Sequence, residues 1–480
     1  MKKLYFLLGI LCALGFVACN NVQLMENKVG SVSFTLGDDL AREIRSVALR
    51  STTGETSYTV TGVLSGDYSA ESSITVDSGA LAEATFSFEN IPVGTSVTLH
   101  LTVQAGNNLV WIGNSESHEV AAGNNSLTVA LGRVSGVLMW DSTSVNIAPY
   151  GNYESKTSLL TKESPDPVWC FDNLGNLYWY TTGENAVIRS KLQADGTYSA
   201  LDGNYTGSSN FLAYDNITDS LYKMLGTEII KAEESTGSHL TEEAISPEEV
   251  IYPVAFAVHD NIAYIVDVVG ENEDGIPQII IRNYNLGTSS QLTESSYQLP
   301  PNFGTKPSYQ MIYHEGALYL LLRRVEINDA SNASVDSPAE HFSIGALVKI
   351  NPTTLSLDTS FGTDGYLGLS SMKKNFSGLS ASGGTSVAAV NFYGSGNDAS
   401  TFYGPVGFVA IMPKKLVIAD AGFSMEQEDT NVNLTKKTRV ITVDLETLAF
   451  DSIDIDNGYY QDEIYGSFSN AGYSYIVPTN

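Results

Sequence analysis

Asn176-Leu177-Tyr178 and Ser220-Leu221-Tyr222 place their tyrosines 44 residues apart, and Ile262-Ala263-Tyr264 follows 42 residues later. Working outward, each triplet is preceded by an apolar run and a polar turn: Asp172-Asn173, Asp215-Asn216 and His259-Asp260. Each is followed, after a loop of varying length, by another apolar run: Val187 to Lys191, Glu228 to Lys231 and Ile279 to Tyr284. The unit continues at Ala317-Leu318-Tyr319, Lys415-Leu416-Val417 and Tyr473-Ser474-Tyr475, with third strands at Ala346 to Ile350 and Arg439 to Leu445. A strand–turn–strand–loop–strand unit recurring every forty to fifty residues cannot bury its faces alone, and must stack against its own copies. The spacing predicts a β-propeller, whose closed ring removes the edges a linear array would expose.

The ends of the array suggest how the ring closes. After Tyr475 the chain runs only through Ile476 and Val477, and upstream lies Gly136-Val137-Leu138-Met139-Trp140-Asp141, a strand with no unit of its own. The expectation is that this N-terminal strand completes the C-terminal blade. Six blades are counted, and the 98 residues from Tyr319 to Val417 leave room for a seventh.

Two segments carry a resemblance. Leu357-Asp358-Thr359-Ser360-Phe361-Gly362-Thr363-Asp364-Gly365 resembles the Asp-x-x-Phe-Gly-x-x-Gly signature of certain bacterial propeller repeats. Phe402-Tyr403-Gly404-Pro405, through Pro413-Lys414-Lys415-Leu416-Val417-Ile418-Ala419-Asp420, resembles the propeller-type surface lipoproteins of treponemes and Bacteroidetes. That family brings no assigned activity.

Ahead of the array, residues 29–134 alternate with period two. The clearest run is Ser96 to Val103, with Val97, Leu99, Leu101 and Val103 on one face and His100 on the polar one. Further strands are expected at Ser31 to Leu36, Ser46 to Ser51, Tyr58 to Val63, Ala84 to Phe88, Leu109 to Gly113 and Ser126 to Leu131. Gly106-Asn107-Asn108 and Gly123-Asn124-Asn125 supply turns. About seven short strands in roughly a hundred residues predict an Ig-like β-sandwich. The stretch from Phe88 to Val129 resembles the small Ig-like or prealbumin-like modules of bacterial surface proteins, which space a larger domain from the membrane. The fold class expected for the whole chain is therefore all-β, an Ig-like β-sandwich followed by a β-propeller over 135–480.

Lys2-Lys3, the apolar run from Leu4 to Val17, and Ala18-Cys19 compose an export signal over residues 1–18, too short for a membrane span. Phe16-Val17-Ala18-Cys19 resembles a bacterial lipobox, with Phe16 where leucine is commoner. That implies lipidation at Cys19, a short tether over 19–28, and a lipid-anchored place in the cell envelope, in the outer membrane and facing the surface or the periplasm. With Cys19 lipidated, Cys170 has no partner for an intrachain disulfide, and reads as a small buried hydrophobe.

The chain carries 54 Asp and Glu against 25 Lys and Arg, a net charge of −29, which repels nucleic acid. The long insertions fall between second and third strands, on one face of a propeller. They are Asp267 to Gln278 with Asp267, Glu271, Glu273 and Asp274; Arg323 to Ser343 with Glu326, Asp329, Asp336 and Glu340; and Ala421 to Thr438 with Glu426, Glu428 and Asp429. Together they predict one acidic face for a basic partner or for a divalent cation such as calcium; no other cofactor is implied. Loops of this kind are also commonly just solvated. His259-Asp260 and His314-Glu315 occupy the polar turn position, and His118, His239 and His341 lack partners at zinc spacing. Asp451 to Gly458 puts isoleucines where a calcium loop needs ligands, and reads as a strand entering a turn. No nucleophile elbow, P-loop or His-Glu-x-x-His is present. The expected function is a monomeric surface binding or adhesion protein with an unidentified protein or glycan ligand. The alternatives are a propeller enzyme (glycan hydrolase, lyase or lactonase-like metal enzyme) and a periplasmic scaffold in outer-membrane assembly.

Overall fold

A computed structural model describes residues 28–35, 57–77, 85–161, 168–232, 244–325, 345–373, 378–392 and 400–460, less a few short stretches within them. The described elements are all strands, in two compact units that divide near Gly132.

The first unit is a two-sheet sandwich. Its strands are β1 (Val29–Thr35), β2 (Ser57–Gly66), β3 (Ala70–Asp77), β4 (Thr85–Pro92), β5 (Ser96–Ala105), β6 (Asn108–Ser115), β7 (His118–Glu119), β8 (Gly123–Ser126) and β9 (Val129–Arg133). One sheet runs β4-β1-β8, with β1 parallel to β8; the other runs β3-β2-β5-β6-β9, with β7 on β5. Alternation on β5 buries Val97, Leu99, Leu101 and Val103 and turns Thr98, His100 and Thr102 outward. A β-carbon at Gly62 would meet Leu101 and Leu99 of its own sheet and Phe88 of the other, between 3.3 and 3.5 Å away. The two sheets therefore pack face to face there. Each buried Leu or Phe at such a contact stabilises the fold by about 1.5–3 kcal/mol. The strand expected at Ser46 to Ser51 lies outside the described residues.

The second unit is a ring of antiparallel sheets, each a simple up-and-down meander. Blade 1 comprises Val137–Trp140, Ser144–Ala148 and Thr157–Thr161; blade 2 comprises Val168–Phe171, Leu177–Thr181, Ala186–Leu192 and Tyr198–Ala200. Blade 3 is Phe211–Asp215, Ser220–Leu225, Glu228–Ala232 and Ala244–Ile245, and blade 4 is Pro253–His259, Ile262–Glu271, Pro277–Asn285 and Ser290–Gln298. Blade 5 is Pro307–His314, Ala317–Val325, Ala346–Ile350 and Tyr366–Leu367, and blade 6 is Pro405–Met412, Lys415–Glu428, Asn431–Asp444 and Phe450–Asp454.

Shared cores order the blades round the ring. Tyr178, Tyr180 and Val187 of blade 2 pack with Leu212 and Leu221 of blade 3, whose Tyr222 and Met224 pack with Phe256 and Ile265 of blade 4. Val266 and Ile281 of blade 4 share a core with Met311 and Leu320 of blade 5. Tyr319 and Leu321 of blade 5 then pack directly on Phe408, Leu416 and Ile418 of blade 6. That contact leaves no space for a seventh blade between them, and the short strands within residues 372–392 pair only two by two. The ring closes through blade 1: the Ile411 amide donates to Ser135 Oγ at 2.9 Å, and Trp140 meets Trp169 of blade 2 with centroids 4.8 Å apart. This is a β-propeller of six blades among the described residues.

One expectation needs correction. Val137–Trp140 is not a strand without a unit of its own: it opens blade 1, pairing antiparallel with Ser144–Ala148, while the C-terminal repeat it was expected to complete lies outside the described residues. Val145, Ile147 and Ala148, all buried, give it a partner immediately downstream that the repeat pattern had not marked. The C-terminal chain nevertheless returns to it, since the Tyr460 amide donates to the Trp140 carbonyl at 2.9 Å. Tyr473-Ser474-Tyr475 lies outside the described residues.

Candidate functional site

In an up-and-down blade the turns between first and second strands emerge on one rim, and the connections between second and third strands on the other. The first rim is stitched from blade to blade. The Asn173 amide donates to Asn216 Oδ1 at 2.6 Å, and the amides of Asp260 and Asn261 donate to the Asp215 carboxylate at 3.0 and 2.9 Å. His259 stacks on Tyr313 with centroids 3.6 Å apart, and the Lys414 amide donates to Glu315 Oε1 at 2.7 Å. Asp260, Asn261, Glu315 and Lys414 all hold positive φ, between 44° and 58°, as tight turns of this kind require. Burial holds the Asp172 carboxyl above its usual range, despite bonds from Asn176, Leu174 and Tyr178. Asp215, Glu315 and His259 thus join neighbouring blades, while Asp172 ties its own turn together.

The axis is filled. Trp169 Nε1, on the first strand of blade 2, donates to the Phe408 carbonyl of blade 6 at 2.7 Å. The Phe408 amide donates to Gln310 Oε1 of blade 5, also at 2.7 Å. Gly407 lets these groups converge: a β-carbon there would lie 2.7 Å from Gln310 Oε1 and 2.8 Å from Trp169. Trp140 packs beside them at a tilt and is fully buried. The Trp169 indole, the Gln310 side-chain amide and the Phe408 backbone meet at this level. Cys170, next to Trp169, packs against the blade 2–3 core, and burial pushes its thiol well up.

On the second rim one of the residues expected on an acidic face is turned inward. Asp267 does not face solvent. It is fully buried, bonded to Arg282 Nη1 at 2.8 Å and to the amides of Ile251 and Tyr252. Blade 6 repeats the device, with buried Asp420 bonded to Arg439 Nε at 2.9 Å and to the Gly404 amide at 2.6 Å. Both aspartates anchor the segment that enters their own blade. Nothing in the sequence marked this pairing except the matched placement of Asp on a second strand and Arg on the third. In blade 4 the anchor holds Ile251 and Tyr252 outward, 59% and 69% exposed.

The insertion at Ala421 to Thr438 is corrected from loop to strand. The second and third strands of blade 6 continue as a ladder to Glu428↔Asn431, with Glu426 opposite Asn433. In sequence, Phe423, Met425, Val432 and Leu434 alternate with polar residues along this stretch. In blade 4 the ladder likewise continues to Glu271↔Pro277. Glu273, Asp274, Glu326, Asp329, Asp336, Glu340 and Asp429 lie outside the described residues. The placed candidates share a topological position, the second-to-third-strand side of blades 4 and 6; blade 5 contributes the connection over 326–344 between them. Among the described residues, no three His, Cys, Asp or Glu side chains gather as a metal-binding group.

Residues 311–465, which span most of blades 5 and 6, match the TdpA C-terminal domain family. No curated protein matches the chain. Among solved structures, the chain is similar to TolB from Acinetobacter baumannii, at 10% identity over 75% of this chain and 77% of that one, with a TM-score of 0.35. A quinonprotein alcohol dehydrogenase-like protein from Bacteroides thetaiotaomicron is 12% identical over 83% and 89%, with a TM-score of 0.29. Virginiamycin B lyase from Staphylococcus aureus is 10% identical over 67% and 88%, with a TM-score of 0.27. Superpositions this loose say nothing of ligand or chemistry. The ring is established by its own sheet order and shared cores.

Proposed function

We propose that this protein is a cell-envelope lipoprotein, anchored through lipid on Cys19, with an Ig-like module as spacer. Its propeller binds a protein or glycan partner on the second-to-third-strand rim of blades 4 to 6. The filled axis supports this most directly. With Trp169, Gln310 and Phe408 closing the centre, the rims are the surfaces offered, and the opposite rim spends its polar groups on inter-blade bonds. The strand ladders that reach Glu271 and Glu428 extend that rim on either side of the blade 5 connection. Aromatic Tyr252 and the glutamates there suit a partner with basic or hydroxyl-rich groups, and the protein acts as a monomer.

Protease treatment of intact cells tests the reading. The expected result is cleavage within 326–344 or beside Asp429 while a periplasmic control survives. Protection until the outer membrane is broken would overturn surface display. Labelling with radioactive palmitate, lost in Cys19→Ala, checks the anchor separately.

A further inference from the structure

We propose that Ser65, His100 and Asn114, on the outer face of the sandwich, form an acyl-transfer relay that makes Ser65 a nucleophile toward small acyl esters. Ser65 Oγ lies 2.6 Å from His100 Nε2, and His100 Nδ1 lies 2.8 Å from Asn114 Oδ1. An amide oxygen only accepts, so the bond to Asn114 places the ring proton on Nδ1. Nε2 is then the unprotonated nitrogen, aimed at the serine hydroxyl. A nucleophile held by a base, itself oriented by a third group, is the arrangement that activates serine, and it recurs on unrelated folds. An ordinary cross-strand polar pair needs one of these bonds; the two in series on opposite ring nitrogens fix the tautomer as well as the contact.

The fold supplies this geometry through sheet order. β2, β5 and β6 are consecutive neighbours, and the register Val63↔His100 and Ser65↔Thr98 sets Ser65 diagonal to His100 on the outer face. All three side chains are half-buried, so they are held in place and still reachable. Ser65 also stands where the strand leaves the sheet. Gly66 holds φ of 112°, and a β-carbon there would lie 2.5 Å from the Ser96 carbonyl. The next residue locks the bend: the Asp67 amide donates to Ser96 O, and its carboxylate accepts from the Ser96 amide, both at 2.9 Å.

In the reaction, Ser65 Oγ bonds to the ester carbonyl carbon while its proton passes to His100 Nε2. Thr98, which pairs with Ser65 in register, is the hydroxyl-bearing residue placed opposite it on the neighbouring strand. Collapse of the tetrahedral adduct breaks the bond to the leaving alkoxide, which takes the proton from Nε2. Water then repeats the sequence on the acyl-serine and restores the hydroxyl. The site lies wholly within the sandwich, so it stands or falls independently of the propeller's partner.

The test is labelling of the full chain with a biotinylated fluorophosphonate, which phosphonylates an activated serine with loss of fluoride, followed by peptide mapping. The expected result is a single dominant adduct on Ser65, absent in Ser65→Ala and slowed about a hundredfold or more in His100→Gln, the usual scale for loss of a general base. Asn114 is a positioning residue: Asn114→Ala shifts the pH profile of labelling, and Asn114→Asp restores it. Adducts spread evenly over serines such as Ser73 and Ser117 would overturn the proposal, as would His100→Gln labelling at the parent rate. If a variant fails to fold, the parent protein decides alone. In the parent, dominant labelling of Ser65 supports the relay, and the lack of a Ser65 adduct sinks it.

Discussion

His314 shows how a residue chosen by pattern acquires a different meaning in its surroundings. In sequence it forms a tempting pair with Glu315; in the fold it is largely but not fully buried at the junction of blades 5 and 6, with Nε2 at 3.9 Å from the Glu315 carboxylate. Burial lowers its pKa from 6.5, and Glu315 and the Met412 backbone recover only part of that. The unfolded chain therefore binds a proton that the folded one resists. The stability due to neutral His314 is complete above about pH 6.5 and is lost as pH falls toward the lower folded value. His314→Gln should flatten the dependence of denaturation midpoint on pH below about 6.5, in urea titrations at several pH values. The Asp420–Arg439 pair makes a second case. Arg439→Met leaves a buried carboxylate with one charged partner gone, and should cost about 3–5 kcal/mol. Adding Asp420→Leu should recover part of that loss, measured as a double-mutant cycle by chemical denaturation. Asp267 reads in sequence as a loop ligand because its partner Arg282 reaches it only across the strand ladder, diagonally from its place opposite Ile265.

At the level of strands and turns, legibility followed how many faces a strand buries. β5, alternating over its whole length, was read within one or two residues. β3 was missed, because Ala70–Asp77 is an edge strand with alternate positions only half-buried and few apolar residues. The long hairpin of blade 6 was read as loop because its glutamates and asparagines masked the alternation of Phe423, Met425, Val432 and Leu434. The turns of the first rim were legible as polar hairpin positions, yet their bonds to the next blade were not, since those join residues more than forty apart. Asp215 illustrates the energetic weight of such a bond. Burial raises its pKa most of any single influence, but the amides of Asn261, Ile217 and Asp260 and the Thr218 hydroxyl together hold it below the usual carboxylate range. Its contribution is present above about pH 3.9 and is lost as pH falls through the folded value. Asp215→Asn should destabilise by about 1–3 kcal/mol at neutral pH. It should also reduce the loss of stability below pH ~4, read by thermal melts across pH.

For the propeller as a whole, the repeat period announced a ring, while the blade count awaited the direct contact of Tyr319 and Leu321 with Phe408 and Leu416. The filled axis could not be read in advance, because Trp169, Gln310 and Gly407 come from three different blades. Gly407→Ala should cost about 1–3 kcal/mol through overpacking. A melting scan should show it, with a larger effect than Gly226→Ala, where positive φ alone is the burden and nothing lies within 4 Å.

The joining of Ser135 to Ile411 and of Tyr460 to Trp140 brings together segments from the start and the end of the ring. A hoop fastened in this way has no viable shorter version. A chain halted after blade 5 by a premature stop or a protease would be an open strip with two raw margins, prone to stick to its copies. Partial products of this gene should therefore be cleared or aggregate, and a cell would hold the ring either whole or not at all.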